Sequence, residues 1–232
     1  MNNRIGISII VGIVALTFGF ASGIFARSSV SQDTGEQLVA TRDFGTWQYE
    51  ASKMGEYYYV QILNQEQDYI RLEDLLSKTR KQGVRSFLPE DQLPVNVVLR
   101  KAIAPEALLQ FANTYQLSVK SYTIVARDTH NQLITIVGAP LDGEMLPLEI
   151  LKQMMAGVEE QQHIQMTLEG IVSIEASIKA AQVEQIAADA NVFGVDITPG
   201  LALQDLQQQI PELDVAHVQV IAAPLYWVVA TR

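Results

Sequence analysis

The sequence contains no cysteine among its 232 residues, which excludes disulfide bonds, thiolate zinc sites, a cysteine nucleophile and a lipid-modified N-terminal cysteine. Basic residues are also scarce: 16 Lys and Arg stand against 26 Asp and Glu, for a formal net charge of −10. Because binding to a phosphate backbone requires clustered positive charge, we expect no nucleic-acid partner. Neither a glycine-rich phosphate loop nor a Gly-x-Ser-x-Gly motif occurs, and we predict no cofactor and no bound metal.

A long apolar stretch near the N-terminus is the strongest pattern in the sequence. Residues 5–26 carry no charge, and their polar interruptions are Ser8, Thr17 and Ser22. A helix needs about 20 apolar residues to cross a bilayer, whereas a surface helix of a globular domain would show a polar face. The pattern therefore predicts a transmembrane helix that contacts membrane lipid through residues 5–26.

The charges around this stretch predict its orientation. Arg4 and the terminal amine precede it, and Arg27 follows it directly. Since the cytoplasmic side carries the excess of positive charge, we expect a single-pass signal-anchor with a cytoplasmic N-terminus and an extracytoplasmic bulk. The alternative is a signal peptide cleaved near Ala21-Ser22-Gly23, which would give a secreted protein.

Small residues recur at every fourth position of the same stretch, at Ala15, Gly19 and Gly23. This spacing lets a second helix approach closely, which favours a homodimer through these three residues. The alternative is that glycine is simply frequent in membrane helices.

The chain is predicted to have three segments: an anchor or signal over 1–27, a membrane-proximal stalk over 28–93, and an α+β domain over 94–232. Within the stalk, the tyrosine-rich run 57–63 predicts a strand, and apolar residues at helical spacing predict a helix over 66–82. Pro89 and Pro94 bracket acidic residues and mark the boundary of the α+β domain.

Residues 94–178 show strand and helix patterns in the order β-α-β-β-α-β. Each strand alternates apolar and polar residues, each helix has an apolar stripe, and the polar turn 127–131 joins two strands into a hairpin. This order predicts a ferredoxin-like antiparallel sheet with helices packed on one face. Further helices are expected near 180–190 and 201–210, with strands near 193–197, 215–222 and 226–231.

Residues 169–197 carry a more particular pattern. A strand that begins Glu169-Gly170-Ile171 is followed by a helix with Gln182-Val183 and Ile186, and then by a strand with Asp189, Val192 and Val195. This segment resembles the second half of the propeptide-like inhibitor domains of subtilisin-type proteases. The resemblance implies a ferredoxin-like fold and a domain that binds a protease, or assists its folding, through the sheet surface and a C-terminal tail.

Three acid–histidine pairs are the candidates for chemistry: Asp128 with His130, Glu159 with His163, and Asp214 with His217. The first two could act in a hydrolase, and the second could hold a metal from one helix face. A structural interpretation competes at each pair, because aspartate is common in turns and histidine complements the dipole at a helix end. We therefore predict no catalytic residue.

Two further groups of residues could form an interface. A basic group at a predicted helix end could dock an acidic partner or lipid, although cations there also complement the helix dipole; it comprises Lys78, Arg80, Lys81 and Arg85. Aromatic side chains could anchor a partner or pack in the core; they are Trp47, Trp227, Tyr57, Tyr58 and Tyr59.

The function predicted from these patterns is a membrane-anchored extracytoplasmic module that binds an unidentified protein and has no enzymatic activity. One alternative is a protease inhibitor or propeptide-like chaperone module. The other is a hydrolase of unknown substrate.

Overall fold

The computed structural model describes residues 37–64, 69–141 and 143–222. The strands in this part of the chain are β1 (Gln37–Asp43), β2 (Trp47–Met54), β3 (Tyr57–Asn64), β4 (Gln92–Ile103), β5 (Ser118–Asp128), β6 (Leu133–Gly138), β7 (Met166–Lys179), β8 (Val192–Asp196) and β9 (Val218–Ile221). The helices are α1 (Tyr69–Gly83), α2 (Pro105–Tyr115), α3 (Leu148–Gln162), α4 (Val183–Ala187) and α5 (Thr198–Gln209). The fold is α+β.

Five strands form the larger sheet in the order β6-β5-β7-β4-β8, and every neighbouring pair is antiparallel. Local sequence explains the elements: Pro105 opens α2, Glu106 complements its dipole, and Gln116 closes it in the left-handed conformation. The predicted hairpin between β5 and β6 is confirmed. The helix expected near 201–210 begins three residues earlier, at Thr198.

Helices cover both faces of the larger sheet. On one face, α2 and α4 bury side chains such as Leu108, Phe111 and Ile186 in the main core. On the other face, α1 and α5 bury Leu72, Leu76, Ala202 and Leu206 in a second core with Val98 of β4 and Phe193 of β8, among other residues. The prediction that helices pack on one face only is therefore wrong.

The smaller sheet has the order β1-β2-β3-β9 and lies beyond α5. Its first three strands are antiparallel, and β9 pairs with β3 in parallel. Its inner face contributes Tyr49, Ala51 and Val60, among others, to the second core. Residues 37–64 of the predicted stalk thus form a sheet with a strand from the other end of the chain, and the predicted boundary at residue 94 falls inside β4.

The assignment of the ferredoxin-like motif to residues 94–178 is wrong, because β6 lies at the sheet edge and β7 lies between β4 and β5. The ferredoxin-like order is formed instead by β4-α2-β5 and β7-α4-β8, whose strands lie in the order β8-β4-β7-β5, with β6 added beside β5. The physical reason is burial. The middle of β7, from Gly170 to Ile174, is buried on both faces and suits the sheet centre. The short and half-exposed β6 lies at the edge.

The predicted transmembrane helix, and the single-pass localisation inferred from it, are also corrected. Within the described ranges no helix is long and apolar enough to cross a membrane. The longest helices, α1 and α3, have 15 residues, against the roughly 20 that a bilayer requires. Residues 5–26, Ala15, Gly19 and Gly23, on which the span, the lipid contact and the homodimer were predicted, lie outside the described residues.

Candidate functional site

The side of the smaller sheet that points away from α5 is the candidate site, and we call it the outer face. Side chains alternate across a strand, so the residues that flank the buried Tyr49, Ala51 and Val60 point outward. The outer face consists of Leu38 and Thr41 on β1, Gln48, Glu50, Ser52 and Met54 on β2, Tyr57, Tyr59, Gln61 and Leu63 on β3, and Gln219 and Ile221 on β9.

The strand register arranges these side chains in rows that cross the sheet. One row contains Leu38, Ser52, Tyr59 and Gln219, each directly opposite the next. The next row toward the β2–β3 turn pairs Met54 with Tyr57. Side chains opposite each other on one face have Cβ atoms about 5 Å apart, so each row is a continuous surface.

Large apolar side chains are exposed in these rows. Leu38 is 62% exposed and Tyr57 is 53% exposed, and Met54 and Ile221 are also exposed. An antiparallel sheet with one solvated face normally alternates apolar inward and polar outward residues. Four exposed apolar side chains on one solvated face, with Ser52, Gln61 and Gln219 between them, indicate an interaction site of mixed apolar and polar character.

The charge of the outer face is low and of one sign. Its rows contain no Lys or Arg, and Glu50 is their one carboxylate, with Asp43 at the end of β1. Arg42 and Lys53 lie opposite the inward-pointing Tyr49 and Tyr58. Protein interfaces are enriched in Tyr and Met and depleted in Lys, Glu and Asp, and the outer face has this composition.

One end of the outer face is ordered by a histidine. The ring of His217 lies edge-on to Tyr57 with centroids 5.3 Å apart, and its Nδ1 is 2.9 Å from Asp214 Oδ2. The backbone N–H of Ala216 also donates to Asp214 Oδ1. These two contacts, the backbone one being the stronger, hold the pKa of Asp214 below its usual value. The predicted pair Asp214–His217 thus positions Tyr57.

The inner side of the same sheet is fixed to α5 by a polar cluster. The Tyr49 hydroxyl donates to Asp205 Oδ2 at 2.6 Å and accepts from Gln209 Nε2 at 2.9 Å. Arg42 Nε lies 3.3 Å from the same carboxylate. Burial and the bond to Asp205 raise the pKa of Tyr49 far above its usual value. These contacts join the inner side of the sheet to α5 and leave its outer face exposed.

Asp128 and His130 lie in the β5–β6 hairpin. Asp128 Oδ1 accepts the backbone N–H groups of His130 at 2.9 Å and Gln132 at 2.6 Å, while the His130 side chain is largely exposed. The carboxylate thus caps the turn, as the structural interpretation predicted, and its Oδ2 also lies 3.6 Å from His130 Nδ1.

Glu159 and His163 do not converge on a ligand. Glu159 Oε1 accepts the backbone N–H of Met166 at 2.7 Å, and His163 ends α3 in the left-handed conformation with its side chain exposed. Among the described residues, no group of three or more His, Asp or Glu side chains could hold a metal ion.

The basic group is divided among separate contacts. Lys78 pairs with Asp74 within α1, and Arg80 pairs with Glu184 of α4, while Lys81 and Arg85 are exposed. Of the aromatic residues, Trp47 is buried beneath a stacked Phe44, and Tyr58 packs toward the second core. Trp227 lies outside the described residues.

The sequence patterns indicate only a small part of the outer face. Tyr57 and Tyr59 were singled out, but Leu38, Met54 and Ile221 come from segments that these patterns assign to a stalk or to a terminal strand. The available signal was the alternation Tyr57, Tyr59, Gln61 along one strand. The neighbours on β1, β2 and β9 depend on pairing that a single sequence does not reveal.

Comparisons with protein-family models, with curated proteins and with solved structures give no match to this chain. The resemblance of residues 169–197 to protease propeptide domains therefore stays a prediction.

Proposed function

We propose that this protein binds another protein through the outer face of the smaller sheet. The observation that carries the proposal is the exposure of Leu38, Met54, Tyr57 and Ile221 on the outer face, beside the half-buried Tyr59 and without Lys or Arg on that face. Tyr and Met side chains supply large contact areas, and a fixed backbone lowers the entropy cost of binding.

The dimensions of the outer face indicate a transient complex. Four strands spaced about 4.8 Å apart, with about seven residues at 3.4 Å each, give an area of about 450 Å². Two such surfaces bury roughly 900–1,000 Å² in total, which is at the low end for specific complexes.

The charge of the outer face defines the partner's chemistry. Glu50 and Asp43 flank the apolar rows, and the whole chain carries a net charge of −10. A partner with an apolar patch bordered by Lys or Arg therefore complements this surface, since opposite potentials speed association and exclude wrong partners.

The test is affinity capture on the full chain from the native cells, with crosslinking, in three versions. Met54→Ser combined with Tyr57→Ser removes the apolar centre of the outer face. Leu88→Ser combined with Leu109→Ser is the matched control, because these leucines are also exposed but lie outside the smaller sheet. We expect a stoichiometric partner with the wild type and the control, and loss of that partner with the outer-face variant.

A charge reversal tests the partner chemistry separately. Glu50→Lys should weaken capture of the same partner, and the effect should shrink as salt screens the charges. A partner that the outer-face variant retains in full, or the absence of any saturable partner after crosslinking, would refute the proposal.

A further inference from the structure

A row of polar side chains crosses the larger sheet on the face that α1 and α5 cover. Ser121 on β5, Glu175 on β7, Asn96 on β4 and Asp196 on β8 are successive partners in the strand register. The Ser121 hydroxyl donates to Glu175 Oε2 at 2.6 Å at the accessible end. The other end, at Asn96 and Asp196, is buried.

The buried end holds an amide oxygen that lacks a hydrogen-bond donor. Asn96 and Asp196 are each 3% exposed and Thr198 is 5% exposed. Asp196 Oδ1 accepts the backbone N–H of Thr198 at 2.9 Å, but Asn96 Oδ1 has no partner. An unpaired buried acceptor costs about 1–3 kcal/mol, so the missing donor is significant.

Ionisation of Asp196 would add a further acceptor to a site that already lacks a hydrogen-bond donor. A carboxylate has only acceptors, and Asn96 lies directly opposite it in the β4–β8 register. Repulsion between two oxygens in a dry site is strong because the local dielectric constant is low. A proton on Asp196 supplies the donor that Asn96 Oδ1 needs.

In the part of the chain that the structure describes, no charged group is among those that shift the pKa of Asp196. From α1, Leu76 packs over Gly194 of β8, and from α5, Gly200 packs on Leu93 and Pro94 of β4. The titratable groups on this face of β7 and β5 are Glu175, which is itself acidic, and the exposed Lys120 at the neighbouring cleft. Within the described ranges, no Lys or Arg forms an ion pair with Asp196.

We propose that Asp196 is a neutral carboxylic acid in the folded protein, that it donates its proton to Asn96 Oδ1, and that loss of this proton to solvent loosens the N-terminal turn of α5. The contact between Asp196 and Asn96 is therefore sensitive to pH. A change at α5 affects both sheets, because α5 packs on β4 of the larger sheet and on β3 and β9 of the smaller sheet.

The direction in which stability changes with pH follows from the burial of the Asp196 carboxyl. Burial raises the pKa of Asp196, and the hydrogen bonds from the backbone N–H and the side chain of Thr198 offset only part of this effect. A group with a raised pKa in the folded state contributes its full stability below the unfolded pKa. That contribution is lost as the pH rises toward the folded pKa.

The test compares the full-length wild type with Asp196→Asn, which keeps a neutral side chain and a donor facing Asn96. As the pH rises from 4 to 8, the folding equilibrium constant of the wild type should fall relative to the variant, by up to about tenfold per pH unit while Asp196 titrates. Hydrogen exchange of the α5 amides should accelerate over the same range in the wild type alone. Asp189→Asn is the control, because the Tyr115 hydroxyl lowers the pKa of that carboxyl. The stability of the wild type relative to Asp189→Asn should therefore rise with pH.

Two results would overturn the proposal. One is the same pH dependence in the wild type and in Asp196→Asn. The other is a variant that is less stable at every pH, since that shows an ionised carboxylate bonded to the amide nitrogen of Asn96. If the variant does not fold, the pKa of Asp196 is measured in the wild type from the NMR signal of its carboxyl carbon. A pKa at or below the ordinary value for aspartate refutes the proposal.

Discussion

Replacing Tyr49 by Phe removes one hydroxyl from the cluster that joins the smaller sheet to α5. The hydroxyl donates to Asp205 Oδ2 at 2.6 Å and accepts from Gln209 at 2.9 Å, and the ring itself is fully buried. The aromatic ring keeps its packing in Tyr49→Phe, so the change isolates the hydrogen bonds.

The size of the effect follows from the charge of the acceptor. A hydrogen bond to a charged group contributes about 1.5–3 kcal/mol, and Asp205 keeps Arg42 and Gln209 as partners after the change. We expect a loss of about 2 kcal/mol in the free energy of unfolding at pH 7. For a chain of this size that loss lowers the Tm by roughly 4–8 °C.

The effect should also depend on pH in a defined direction. Burial acts to raise the pKa of Asp205, but its bonds to Tyr49, Arg42 and Gln209 prevail and hold that pKa below the usual value. The stability from a lowered pKa is present above the unfolded value of about 3.9 and is lost as the pH falls through the folded value. The difference between wild type and Tyr49→Phe should therefore shrink below pH 4.

Urea unfolding followed by circular dichroism, from pH 7 down to pH 3, measures this difference. Tyr59→Phe is the matched control, since Tyr59 lies on the same strand pair but points outward and is only half-buried. The control should change stability by less than about 0.5 kcal/mol. A Tyr49→Phe loss below 0.5 kcal/mol at pH 7, or one that is unchanged at pH 3, refutes the reasoning.

Four further variants test the interior and the hairpin by the same unfolding assay. Burial raises the pKa of Tyr122 to about 12, and the buried hydroxyl has no hydrogen-bond partner. Tyr122→Phe should therefore raise the free energy of unfolding by about 1 kcal/mol, and a decrease contradicts this prediction. Gly170 has φ +132°, and a Cβ at this position would clash with the carbonyl oxygen of Ile103. Gly170→Ala should therefore lower the free energy of unfolding by about 3 kcal/mol, and an unchanged stability contradicts the geometry. Asp128→Ala should lower the free energy of unfolding by about 2 kcal/mol, because the carboxylate accepts two backbone N–H groups. His130→Ala should change it by less than about 0.5 kcal/mol, and equal losses in the two variants would contradict the capping function.

Local patterns in the sequence were sufficient for many individual elements. Pro105 and Glu106 marked the start of α2, and alternation marked β5, β6 and most of β7, because these signals depend on neighbouring residues alone. The same logic failed at β1 and β2, whose short polar stretches become strands through pairing with β3.

The candidate site was predictable only in part. Tyr57 and Tyr59 stood out by composition, and the turn position of Asp128 anticipated its capping function. The buried Asn96, Asp196 and Thr198 gave no signal, because each is a common residue type and only the register brings them together.

The sequence by itself determined the acidic charge, the absence of thiol chemistry and the type of most elements, since these are properties of composition and of local periodicity. The tertiary structure decided which strands are neighbours, that helices cover both faces of the larger sheet, and that β9 completes a sheet begun at Gln37. Strand pairing is non-local: β7 lies beside β4 because a strand buried on both faces is most stable at the sheet centre. Both the outer face and the Asp196 site result from such pairings.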